Sequence, residues 1–275
     1  MPKLAGSSLG STLGPGVPAG SSGQCSCSST PRIWAKARLL AIQGQRRCTI
    51  TSNQPESTGQ TSTPPNTASW AYAEDWLVED EHVRAARSRA VELGCKPVAK
   101  STASVLRLLA TTISAQAVVE IGTGTGVSAA ALLSGMTSDG ILTSIDTEAE
   151  NQRVAREILT ELGYDHVRAR LIAGRALEVL PRLADQAYDL VFVDGDKAEY
   201  PAILQQARRL LRVGGILAFD NVLSNGAVAD PGQRDTETAA LRDVAHALRD
   251  DEHWVPALMT IGDGLLAAVL RGEGG

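Results

Sequence analysis

One stretch constrains this chain more than any other: Val118-Val119-Glu120-Ile121-Gly122-Thr123-Gly124-Thr125-Gly126. A short apolar, β-branched run ends in a turn with glycine at every second position. Val127-Ser128-Ala129-Ala130-Ala131-Leu132-Leu133 then reads as the start of a helix. A strand feeding a glycine-rich turn and a helix is the entry unit of a nucleotide-binding α/β fold. Glycine admits positive φ and lets a ligand come close to the main chain. The helix start offers free N–H groups and partial positive charge to an anionic part of that ligand.

The spacing narrows the choice of ligand. The dinucleotide fingerprint is G-x-G-x-x-G, with pyrophosphate over the helix start. Here the third glycine comes one residue early, giving G-x-G-x-G. Glu120 lies two residues before the first glycine, where a carboxylate would repel a pyrophosphate. A plain glycine-rich turn in another α/β protein is the bland alternative.

Of the 275 residues, 43% are hydrophobic and 21% charged, which is enough for a sizeable core in one domain with an appendage or in two small domains. A net charge of −5 and 4% aromatic residues argue against a nucleic-acid surface, which wants a basic face and stacking rings. No window of ~18 apolar residues occurs, so no membrane span is expected, and the expected location is cytoplasmic. Cys25, Cys27, Cys48 and Cys95 read as incidental reduced thiols, because the Cys25-x-Cys27 pair lacks the second ligand pair of a zinc site.

Residues 1–67 are rich in Ser, Gly, Pro and Thr with poor periodicity, and read as a disordered, low-complexity tail. The apolar-basic island from Ile33 to Ile42 is a candidate short helix. The first acidic residue is Glu56, so a transit peptide, a plain tail and a start assigned too far upstream all remain open. The folded domain is expected over 68–275. Ser69 to Leu93 shows helical spacing through Trp70, Trp76, Leu77, Val83, Ala86 and Ala90, with Gly94 as the stop. Lys100 to Ile113 is a second helix.

From Ala117 strands and helices alternate. Strands are expected at 118–121, 141–145, 167–173, 188–193 and 216–219, the last preceded by Gly214-Gly215. Helices are expected at 148–162, 176–183 and 200–211. Such alternation predicts a parallel sheet covered on both faces. The end differs: a helix over 237–249, then two apolar runs around Gly262-Asp263-Gly264, a hairpin signal. The fold class is therefore α/β, a Rossmann-like three-layer sandwich with a seven-stranded, mostly parallel sheet and a C-terminal antiparallel hairpin. A dinucleotide reductase would more often continue with parallel strands.

Ligands of open α/β sheets bind beyond the carboxyl ends of the strands. Asp146 ends the second strand, roughly 20 residues past the glycines, where an acid bonds ribose hydroxyls. It is also placed to cap the next helix. Asp194 and Asp220-Asn221 end strands that adjoin in a doubly wound order. Two carboxylates and an amide oxygen form an all-oxygen set of hard-cation type, and His82, His166, His246 and His253 lie elsewhere in sequence, which favours Mg²⁺ over zinc. Solvated turn acids are the alternative. Lys197 follows Asp194 by three residues. Beside a divalent cation, like-charge repulsion favours the neutral amine, which can then take a proton from a nearby hydroxyl. A surface lysine is the simpler reading.

These pieces together resemble the cation-dependent O-methyltransferase family that includes the catechol and caffeoyl-CoA enzymes, in particular its bacterial members. The similarity runs from about Trp70 to Leu270. It is carried by Val119 to Ser128, Leu142 to Asp146, Tyr188 to Lys197, Arg209 to Gly215, Asp220-Asn221-Val222-Leu223 and Asp230-Pro231-Gly232-Gln233-Arg234-Asp235. The resemblance implies that Asp194, Asp220 and Asn221 hold Mg²⁺ or another divalent cation and that Lys197 is the base. It also implies that Val98, Glu120, Gly122, Thr123, Gly124, Ser128, Asp146, Ala176 and Asp194 surround S-adenosylmethionine. That cofactor has no phosphate, so an acid at Glu120 is tolerable. Gly195 departs from the family, where alanine is usual. The implied reaction is in-line methyl transfer to one of two vicinal hydroxyls of a small phenolic or catechol-like acceptor, in a homodimer. Three rivals stand beside it: an NAD-dependent oxidoreductase, a cofactor-binding protein without turnover, and an RNA methyltransferase.

Overall fold

A computed structural model describes residues 67–272. The N-terminal tail, its candidate helix and three of the four cysteines lie outside the described residues. Among the described residues, no helix is long and apolar enough to cross a membrane.

The central sheet has seven strands: β1 (Ala117–Ile121), β2 (Ile141–Asp146), β3 (Ala169–Ala173), β4 (Tyr188–Val193), β5 (Leu211–Phe219), β6 (Trp254–Met259) and β7 (Leu265–Leu270). Their order is β3-β2-β1-β4-β5-β7-β6. The first five run parallel; β7 is antiparallel to β5 and to β6. The expected parallel sheet closed by a hairpin is what forms. The strands read as continuous apolar runs because both faces are covered. Val118, Leu190, Phe192 and Ala218 enter one core cluster, and Val119, Val191, Val193 and Phe219 the other. One layer is α3 (Lys100–Thr112) and α4 (Val127–Gly135) with α5 (Ala149–Glu161); the other includes α7 (Tyr200–Leu210) and α8 (Thr236–Asp250), and the single turn α6 (Ala176–Val179) sits beside it.

Four expectations change. The run from Ser69 to Leu93 is two helices, α1 (Thr67–Asp75) and α2 (Glu81–Leu93). Asp80 explains the break: it has extended backbone and its carboxylate accepts from His82 N, which starts a new helix. Trp70 and Trp76, read as a packed face, are 46% and 69% exposed. The fifth strand starts at Leu211 and not at Ile216, so Gly214-Gly215 lies inside it as a bulge, where the register with β4 shifts between Tyr188 and Leu190. The third strand starts at Ala169, since Asp165 holds Val167 N and Arg168 N in a preceding turn.

The C-terminal hairpin also shapes the functional end of the sheet. Val222 N donates to Gly264 O and Leu223 N to Asp263 O, both at 3.0 Å. The segment that follows β5 is thereby pinned by the tip of a hairpin that comes some forty residues later.

Candidate active site

The tips of β1, β4 and β5 meet through backbone bonds. Asp194 N donates to Ile121 O (2.8 Å) and Asp220 N to Val193 O (2.9 Å). Gly122 lies so close to this seam that a Cβ there would stand 2.1 Å from Asp194 O; its φ is +94°. Only glycine lets the glycine turn sit directly on the acidic strand tip.

Lys197 collects the acidic groups. Its Nζ donates to Tyr200 Oη (2.7 Å), Asp194 Oδ1 (3.2 Å) and Asn221 Oδ1 (3.4 Å). Two of the three expected ligand oxygens thus converge on one cation, supplied here by the chain's own ammonium. Asn221 has φ +55°, a left-handed conformation that asparagine tolerates better than most residues. Asp220 completes the set. Its side chain is buried, and neither carboxylate oxygen has a hydrogen-bond partner. Burial, with the Asp194 charge second, pushes its carboxyl up to about 7. A buried carboxylate with no donors is costly unless it is protonated or faces a cation, and two carboxylates with an amide oxygen suit a hard cation. The residues fit the divalent ion that the sequence points to.

Three cavities wrap around this point. The first, 240 Å³, is lined by Val98, Gly122, Thr123, Gly124, Ser128, Asp146 and Asp194, among others. A second, of 360 Å³, shares Gly122, Asp146 and Asp194 and adds Ala176, Arg175 and Glu199. The third shares Val98 with the first and is bounded by Trp70, Pro97, Asp194, Asp220, Asn221 and Asp263. The outcome is a two-part cleft over the glycine turn, adjoined at Val98, Asp194 and Asn221 by a chamber over the acid cluster.

Asp146 does both things its position allows. Its Oδ2 accepts from Gly124 N and its Oδ1 from Glu148 N, each at 2.8 Å, while it lines both halves of the cleft. Glu120 alone among the expected cofactor residues lines no cavity. It is fully buried, accepts from Ser144 Oγ, which lies 2.7 Å from Thr123 Oγ1, and leaves Oε1 without a partner. Burial first, with the Asp194 and Asp146 charges adding, pushes its carboxyl up to about 8; the Ser128 and Ser144 hydroxyls pull the other way.

Sequence reasoning missed Tyr200 and Trp70 as site residues. Tyr200 is fully buried, stacks on Phe219 at 4.8 Å and carries the lysine. Its spacing of three from Lys197 was the available signal, since such residues share a helix face. Trp70 left no such signal; its place depends on how α1 lies over the chamber, held by Glu74 on Ser101 N and by the Asp75–Lys100 pair.

A seven-stranded sheet with an inserted antiparallel strand, a glycine turn at β1 and an acid–lysine cluster at the β4–β5 tips together make a Rossmann-like fold of the methyltransferase type. A sequence model of the O-methyltransferase family matches residues 73–271, and the chain belongs to that family. A Mycobacterium tuberculosis protein bearing an O-methyltransferase name is 44% identical over 219 residues, 80% of this chain and 98% of that one. Among solved structures, a Corynebacterium glutamicum protein superposes with TM-score 0.69 at 32% identity, covering 74% of this chain and 95% of the other. The O-methyltransferase TomG of Streptomyces achromogenes, solved with S-adenosylmethionine and involved in tomaymycin synthesis, gives 0.69 at 29% identity over 75% and 97%.

Proposed function

We propose that this chain moves a methyl group from S-adenosylmethionine to a hydroxyl of a small catechol-like or phenolic acceptor, with a divalent cation of the Mg²⁺ kind at Asp194, Asp220 and Asn221. The observation that carries this reading is the convergence of Asp194 Oδ1 and Asn221 Oδ1 on one cation, next to the unpartnered carboxylate of Asp220. The donor reading is supported by the two-part cleft over the glycine turn and by the S-adenosylmethionine complex of TomG.

A cation bound there supplies Lewis acidity toward the acceptor hydroxyls. The chain's residues do the rest. Trp70, Pro97 and Val98 give the chamber an apolar wall suited to a planar ring. Lys197, as the free amine, takes the hydroxyl proton onto Nζ. The oxygen so freed forms the new O–CH₃ bond as the S–CH₃ bond of the donor breaks, leaving S-adenosylhomocysteine. The glycine turn and Val98 hold donor and acceptor in line, and alignment of this kind supplies much of the rate gain. Asp146 faces the cleft as the ribose partner. Exposed apolar residues on the leading helices, Val91 and Leu108, support a homodimer, which light scattering on purified protein tests.

The test is a panel of catechols, hydroxycinnamoyl-CoA thioesters and flavonoids with labelled donor. Transfer to a vicinal diol that stops on chelation and returns with Mg²⁺ is expected. Full activity after exhaustive EDTA dialysis would overturn the cation's role. Donor binding with no transfer to any hydroxyl would favour a protein without turnover.

A further inference from the structure

Arg87, on α2, ties the loop before that helix to the loop after it, which carries Val98 into the wall of the cleft. Its guanidinium binds Glu79 in a fork, with Nε 2.9 and 2.8 Å from the two carboxylate oxygens and Nη2 2.7 Å from Oε1. Glu79 belongs to the loop between α1 and α2. The remaining Nη1 donates to Val98 O. The pair is nearly out of solvent: the side chains are 18% and 7% exposed. A bidentate pair of this kind has a fixed plane, so the third donor has a fixed direction.

What that third donor holds is the partition of the site. Val98 is 4% exposed and lines both the donor cleft and the acceptor chamber, as do Lys96 and Pro97 beside it. The loop that carries it, 95–99, has no strand or helix of its own. The backbone of α2 is fixed to the glycine turn from the other side, since Thr125 Oγ1 donates to Ala86 O at 2.8 Å. Neighbouring residues of α2 therefore grip the two walls between which a methyl group would pass.

We infer that Arg87, held by Glu79, is a positioning residue that sets the place of Val98 between donor and acceptor. This rests on the proposed methyl transfer. A misplacement of about 1 Å between reacting groups can cost about 10²-fold in rate, and since Arg87 and Glu79 line neither cavity the loss falls on kcat.

The experiment compares wild type with Arg87→Lys, Glu79→Gln and the exchanged pair Glu79→Arg/Arg87→Glu. Readouts are kcat and KM on an active acceptor, S-adenosylhomocysteine affinity by calorimetry, melting temperature, and the ¹³C-methyl NMR signals of Val98, assigned by Val98→Ile. Arg87→Lys should lose about tenfold or more in kcat, with both KM values and the product affinity within about threefold, and its Val98 signals should shift or broaden. The exchanged pair should regain melting temperature but not kcat, because a carboxylate at 87 has no proton to give Val98 O. Unchanged Val98 signals, or an exchanged pair as active as wild type, would overturn the inference. An inactive wild type with ordered Val98 signals that shift in Arg87→Lys would instead sink the proposed reaction and leave the clasp standing.

Discussion

Tyr200 Oη accepts a hydrogen bond from Lys197 Nζ at 2.7 Å, and its own hydroxyl hydrogen faces the carbonyls of Asp220 (3.1 Å) and Val193 (3.3 Å). The phenol is a relay between the backbone of the β4–β5 tips and the proposed base. Burial, then the charges of Asp194, Asp220 and Asp196, raise its own ionisation well above the ordinary value. It therefore stays a neutral phenol that can accept from the lysine and donate to the backbone. A free amine has two N–H bonds and one lone pair; an N–H spent on Tyr200 restricts where the lone pair points.

Tyr200→Phe keeps the ring on Phe219 and removes only that anchor. The expected result is a fall in kcat of about tenfold with KM for the donor unchanged. It also leaves backbone carbonyls short of a donor, at about 1–2 kcal/mol of stability. Steady-state kinetics and urea melts separate the two. A variant with wild-type kcat would show that the lysine needs no anchor.

The elements with strong local signals were legible from sequence, and those fixed by distant contacts were not. The glycine turn, the strand ends at Asp146, Asp194 and Asp220 and the terminal hairpin follow from period-2 apolar runs and their stops. The β4–β5 adjacency came from topology rules, and the register places Val193 opposite Phe219, so the acids that follow are neighbours. The place of Trp70 above the chamber was not readable, because helical spacing says which residues share a face and nothing about what that face meets. The burial of Glu120 was hidden for the opposite reason: a charged residue in a strand reads as solvent-facing or ligand-facing, while here Ser144 and Thr123 come between it and the cleft.

Asp220, proposed above as a cation ligand, weakens the metal-free fold. Its buried, unpartnered carboxylate is disfavoured when charged. Asp220→Asn should therefore raise the melting temperature of metal-free protein above pH 7, where wild type carries the charge, while abolishing turnover. Mg²⁺ should stabilise wild type by mass action and leave the variant unmoved. Lys197→Ala should cost about 10²–10⁴ in kcat with product affinity within threefold. Thermal shift with and without Mg²⁺, and calorimetry with S-adenosylhomocysteine, check these outcomes. Equal Mg²⁺ stabilisation of wild type and Asp220→Asn would refute the assignment.

Glu120 gives the ligand-free protein a pH dependence of defined sign. Its carboxyl has an ordinary value of 4.5 and is raised to about 8 in the fold. Between those values the folded chain keeps a proton that the unfolded chain has released, so stability falls as pH rises. The contribution is complete below about 4.5 and is gone above about 8; its size is on the order of a few kcal/mol. Glu120→Gln removes this slope. Urea unfolding at pH 5 and pH 8 should show the variant gaining on wild type at the higher pH. Parallel stability curves would mean that Glu120 is solvated or paired in solution.

The two glycines at the seam make opposite predictions. A Cβ at Gly122 would lie 2.1 Å from Asp194 O and 2.8 Å from its carbon, at φ +94°, and all of that is backbone. Nothing there can rotate away, so Gly122→Ala must push the β4 tip from β1. A stability loss of about 2–4 kcal/mol is expected, together with loss of product binding and of turnover, because Asp194 moves with its carbonyl. Gly195, next along β4's exit, is where the family usually carries alanine. A Cβ there would meet only Ile121 Cγ2, at 3.2 Å, and its backbone is not left-handed. A few tenths of an ångström of movement by one methyl group relieves that contact. Gly195→Ala should therefore keep full activity and stand level with or slightly above wild type in stability, since alanine also restricts the unfolded chain. Calorimetry with S-adenosylhomocysteine and melting curves on the two variants decide the matter. A tolerated Gly122→Ala would mean that the glycine turn does not rest on the acidic strand tip, and the donor cleft and the cation site would no longer share a wall.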